Sequence, residues 1–187
     1  MLLDYSAKLA MPMWQAEGRC LKGALLLSRG KLNEGTQLLR AALGELLDTG
    51  SMSRYTGFLG VLAQGLGATR QGADGIFVID KALERNEHGE EGWCTAELLR
   101  IKGELLLMGS GPDTERSAED YFQRAIDWAR HQGALSWELR AATSLARLLR
   151  DRHRNRQARD LLTSVYDRFT EGFATADLKA ARALLEI

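Results

Sequence analysis

Four small residues, Gly23, Ala63, Gly103 and Ala146, recur along the chain at steps of 40, 40 and 43 residues. A second set, Gly35, Gly75, Ala118 and Ala158, keeps step with the first. Each member of the second set opens the same pattern, small, three residues, large, two residues, then small or Val: Gly35/Leu39/Ala42, Gly75/Ile79/Ala82, Ala118/Phe122/Ala125 and Ala158/Leu162/Val165. The hexapeptide Lys-Gly-X-Leu-Leu-Leu is written twice, at Lys22–Leu27 and Lys102–Leu107. Gly and Ala make up about 23% of the chain, so eight in a row at these positions is on the order of a one-in-10⁵ event. The physical reason for such a rule is close approach: a small side chain lets a neighbouring helix come near, and a larger one holds the pair apart.

The segments between markers read as helices. Pro12 and Pro112 are the only prolines, and Leu, Ala, Arg and Glu abound, which favours an all-α chain. Leu25, Leu26 and Leu27 in succession span a wider arc than one buried stripe needs, so the first helix of each pair is expected to be buried on two sides. Leu38/Leu39, Ala42/Leu43 and Leu46/Leu47 step by four and predict a second helix with an exposed back. The spacing predicts a leading helix over 2–10 and helix pairs at 12–29 and 32–48, 53–68 and 72–86, 91–108 and 114–131, and 135–151 and 155–169. A closing helix follows at 175–186, with Thr175 as N-cap and Asp177 in the first turn. Most of the intervening loops contain Gly, a favoured helix stop.

Composition excludes several classes. The 25 basic and 25 acidic residues balance, so no global field points to nucleic acid or membrane. No apolar run approaches the roughly 20 residues of a membrane span, and the N-terminus, with an early Asp4 and no cationic stretch, is a poor signal peptide. Cys20 and Cys94 show no paired spacing and read as reduced thiols of a cytoplasmic protein.

The repeat resembles the tetratricopeptide-repeat family. That pattern's Gly is matched at Gly23 and Gly103, with Ala63 and Ala146 in its place elsewhere, and its Ala-x3-Phe is matched at Ala118 and Phe122. The pattern's Trp and terminal Pro are missing, and an aromatic opens each first helix instead: Trp14, Tyr55, Trp93 and Trp137. The stretches Trp93–Leu107, Ser136–Asp151 and Leu161–Leu185 are similar to the C-terminal repeats of bacterial multidomain regulators that carry ATPase and adenylate-cyclase or DNA-binding modules. The resemblance implies a single domain over 1–187: a right-handed α-solenoid of four helical hairpins, about 12–48, 53–86, 91–131 and 135–169, with capping helices at each end. It implies a binding module that is not an enzyme and needs no cofactor. No GxxxxGK[ST] phosphate loop is present, so ATPase activity is not carried over.

Candidate sites divide on chemistry. His88, His131 and His153 are far apart in sequence and lack metal-ligand spacing. The run Arg147–Arg159 holds six arginines but also Asp151, with Asp160 beside it; it reads as a solvated turn or as a patch for phosphate or an acidic partner. In tetratricopeptide arrays the first helices line a concave groove where peptides bind. Counting from each marker assigns to that groove Glu97, Arg100 and Glu104, then Arg140, Thr143, Arg147 and Arg150, with Glu17 and Gln64 earlier. Two readings of these residues stand: they contact a ligand, or they pair with one another, Glu97 with Arg140 for instance. The expected function is a protein- or peptide-binding scaffold in a bacterial signalling or transcription-regulatory system. The alternative is a sensor whose small ligand, held by Glu97, Arg100, Arg140 and Arg147, controls an attached or partner ATPase or cyclase. A leading helix that fails to cap the stack would leave an apolar end for a homodimer.

Overall fold

The structure is a computed structural model that describes Ser6 and residues 11–50, 54–87, 92–109, 111 and 113–186. Among the described residues the chain is all-α, with nine α-helices and no strand. They are α1 (Pro12–Ser28), α2 (Leu32–Asp48), α3 (Tyr55–Ala68), α4 (Gly72–Glu87), α5 (Thr95–Leu107), α6 (Thr114–His131), α7 (Leu135–Asp151), α8 (Asn155–Tyr166) and α9 (Ala176–Leu185). No helix among them is long and apolar enough to cross a membrane.

Most of these bounds match the spacing, and the differences are local. Residues Gly92–Cys94 form one 3-10 turn, so the helix expected from 91 begins as α5 at Thr95. Beyond Tyr166 the backbone tightens into three-residue turns, Arg168 N–H to Val165 C=O and Phe169 N–H to Tyr166 C=O, which ends α8 before 169. Thr175 stands at the N-cap of α9, but its side chain makes no capping hydrogen bond. The expected leading helix lies outside the described residues except for Ser6, which is helical and buried.

Three turns repeat the forty-residue step in the backbone itself. Each lies seven residues beyond a marker and places one residue in the left-handed region: Gly30 (φ +79°), Arg70 (φ +62°) and His153 (φ +59°). Each makes the same pair of bonds. Gly30 N–H donates to Leu27 C=O and Lys31 N–H to Leu26 C=O; Arg70 and Gln71 do so to Gly67 and Leu66, and His153 and Arg154 to Arg150 and Leu149. This is the Schellman closure of a helix C-terminus. Only the first copy uses Gly, so the turn is set by the geometry of the helix pair and not by a local glycine.

The helices group into two compact units, residues 1–94 and 95–187. In the first, α1 packs on α2 and α3, α2 on α3, and α3 on α4. In the second, α5 packs on α6 and α7, α6 on α7, α7 on α8 and α9, and α8 on α9. Within a unit, each helix thus meets the next, and the first helix of a pair also meets the next but one.

All eight marker residues are buried. A Cβ at Gly23 would lie 2.7 Å from Leu39 Cγ, and one at Gly35 would lie 2.8 Å from Leu27 Cγ and 2.9 Å from the Gly23 carbonyl oxygen. A Cβ at Gly103 would lie 2.5 Å from the Phe122 ring. In these two pairs the large residue of the second helix, Leu39 or Phe122, therefore seats on the small residue of the first. Leu27 also lies over Gly65 of α3, so one side chain ties α1 to both α2 and α3. The two-sided burial expected of the Leu run holds at Leu105, 2% exposed, and fails at the equivalent Leu25, 49% exposed. α2 and α3 both cover the Gly23–Leu27 side of α1, while Leu25, Trp14 and Leu21 lie on the opposite side and are exposed. Leu47, expected in the buried stripe of α2, is likewise exposed.

Candidate functional site on the fifth and seventh helices

Glu97, Arg100 and Glu104 stand at steps of three and four on α5 and so share one face. Arg140 and Ser144 do the same on α7, which packs against α5. The five side chains form one chain of bonds. Arg140 Nη2 lies 2.8 Å from Glu97 Oε1. Arg100 grips the same carboxylate with two donors, Nη2 to Oε1 at 2.8 Å and Nε to Oε2 at 2.9 Å. Its Nη1 reaches Glu104 Oε1 at 3.3 Å, and the Ser144 hydroxyl donates to that same oxygen at 2.6 Å. Two guanidiniums face two carboxylates, so the cluster is neutral by itself.

Arg100 is 6% exposed. Burial alone would push its guanidinium toward losing its proton. Its hydrogen bonds to Glu97 and the charges of Glu97, Glu104 and Asp177 outweigh that and hold it above its ordinary value. It is a buried cation held by two carboxylates of its own chain. A ligand entering here must break charge-assisted bonds already made.

Of the other residues assigned to the groove, Thr143 is buried and its hydroxyl donates to Leu139 C=O one turn back on α7. Arg147 is exposed and Arg150 half-buried; among the described residues neither has a carboxylate partner. In the first unit, Glu17 is buried on α1 with Arg54 Nη1 at 3.4 Å, and Gln64 is exposed on α3. The structure thus joins Glu97, Arg100, Glu104 and Arg140 and leaves Arg147 and Arg150 outside their bonds; Glu17 and Gln64 belong to the first unit. Among the described residues no three His, Cys, Asp or Glu side chains gather as a metal-binding group.

Two further ionic clusters escaped the sequence reading. Glu138 of α7 is 1% exposed and accepts Arg130 Nε at 2.7 Å and Arg168 Nη1 at 2.6 Å. Glu119 of α6 takes Arg152 and Arg154 from the α7–α8 turn at 2.7–2.8 Å. That turn carries two of the six arginines of the run, and Glu119 pairs with both. The signal for both clusters was weak, because the partners lie 8, 30, 33 and 35 residues apart and only the folded helix pairs bring them together.

No protein-family model matches the chain, and comparison with curated proteins and with solved structures finds no match to either.

Proposed function

We propose that the chain is a non-enzymatic, cytoplasmic binding module, a right-handed helical solenoid of the tetratricopeptide type that holds a protein or peptide partner. The observation that supports this most is the recurrence of one contact and one turn. Small residues forty-odd positions apart are each buried, and Gly30, Arg70 and His153 close three helices by the same two bonds. Stacked helix pairs of this kind present extended surfaces, and their work is recognition. The resemblance of the second half to bacterial regulators supports a role for the module in a signalling or transcription-regulatory system.

The contact falls to α7 beside the Glu97–Arg140 cluster, where Arg147 offers an exposed guanidinium to an acidic segment. Affinity capture with the intact chain as bait, followed by cross-link mapping, tests this. The expected result is a partner cross-linked to α5 or α7 whose recovery drops about tenfold with Arg147→Glu, the loss of one charge pair at an interface. Undiminished recovery with cross-links only to other helices would overturn it. The sensor reading is not favoured at Glu97, Arg100 and Arg140, which bind one another.

A further inference from the structure

A cavity of about 210 Å³ opens between α7, α8 and α9. Its floor is apolar: Ala146 of α7, with Ala158 and Leu162 of α8, each at most 2% exposed. Leu184 of α9 walls one side, and Arg150 and Arg159 stand among the lining residues. In the α5–α6 pair the Phe122 ring fills the room beside the marker Gly103; forty residues on, the position of Phe122 is taken by the smaller Leu162.

The two arginines set this cavity apart from the ionic clusters. Arg100, Arg130, Arg140, Arg152, Arg154 and Arg168 each have a carboxylate within ion-pair distance. Among the described residues Arg150 and Arg159 have none, although acids stand beside both in sequence. Asp160, next to Arg159, pairs instead with Arg156, and Asp151 is exposed. Two guanidiniums without counter-charge at an apolar hollow form a site complementary to a molecule that carries one anionic head on a hydrocarbon body.

We propose that this cavity binds a small amphiphilic carboxylate, its head between Arg150 and Arg159 and its body on Ala146, Ala158 and Leu162. A carboxylate matches the planar guanidinium fork with two oxygens. A phosphate dianion would bring further oxygens to a lining whose only other polar side chain is Asn155, too few donors to satisfy them. The cavity exceeds the roughly 150 Å³ space that admits benzene, which suits a body of about six carbons. The site lies apart from the Glu97–Arg140 cluster and does not depend on the partner-binding reading.

The test is an amide NMR titration of the intact chain with hexanoate, hexanol, hexylamine, hexyl phosphate and inorganic phosphate. Hexanoate is expected to shift amides of 146–162 and 176–185, and to bind about tenfold or more tightly than hexanol, hexylamine or inorganic phosphate. An Arg150→Ala plus Arg159→Ala variant changes exposed or half-buried side chains and should keep its helical circular dichroism. It should bind hexanoate about tenfold more weakly and approach the hexanol value. Leu184→Trp, which fills the hollow from its wall, should abolish the shifts. Hexanol equal to hexanoate, inorganic phosphate equal to hexanoate, tighter binding of hexyl phosphate, or shifts centred elsewhere would each overturn the proposal.

Discussion

Cys20 shows what burial does to one side chain. It is fully buried on α1, and burial first, then the charges of Glu17 and Glu45, push its thiol from 9.0 up to about 12. The thiolate is the form the fold resists, so the contribution to stability is complete below pH 9 and is lost as pH rises toward 12, at up to about 1.4 kcal/mol per pH unit. Tyr55, raised mainly by burial, adds in the same direction. Urea denaturation at pH 7 and pH 10.5 should show wild type losing more stability than Cys20→Ala, and parallel losses would refute the burial of this thiol. His153 carries a different strain, since it takes the left-handed conformation that Gly30 takes at the equivalent turn. His153→Gly should stabilise the protein by about 1 kcal/mol in thermal melts, and a destabilised variant would show that the imidazole contributes there.

At the scale of elements, the α5–α7 face behaves as an internal joint. Removing one partner of a buried pair leaves the other charge uncompensated, so Arg100→Met should cost about 3–5 kcal/mol. Arg140 is about one-third exposed, and Arg140→Ala should cost about 1 kcal/mol or less. Equal costs by urea denaturation would show that the two arginines share one environment. The face itself was legible in the sequence, because steps of three and four place Glu97, Arg100 and Glu104 together, and the Glu97–Arg140 pair was one of its two readings. The burial of Arg100 was not legible. It arises when α7 brings Arg140 and Ser144 over α5 and α9 brings Asp177 near, and no local pattern records which side of a charged face another helix will cover. The cavity beside Arg150 was hidden for the opposite reason: a void leaves no pattern of its own.

Across the whole molecule, the helices and turns were largely readable from the forty-residue step. Spacing records where a chain requires small residues, and the turn residues Gly30, Gly50 and Gly133 marked helix ends. Leu25 was misread because the Leu run shows how much of α1 is apolar, not how much is covered. With Met11, Trp14 and Leu21 it forms an exposed apolar stripe on the first described helix, and the homodimer expected through an apolar end would bury it. Light scattering at high concentration should detect a dimer that Leu25→Glu dissociates; monomer alone would contradict it. The central claim is that the recurring small residues are where helices touch, and glycine substitution tests it most directly. Gly44 sits on the exposed back of α2 with nothing near its Cβ position, whereas Gly35 and Gly103 face a backbone carbonyl and the Phe122 ring at under 3 Å. In chemical denaturation Gly44→Ala should raise stability by up to about 1 kcal/mol through helix propensity, while Gly35→Ala and Gly103→Ala should lower it by about 1–3 kcal/mol through overpacking. Stability gains of similar size in all three variants would contradict the account.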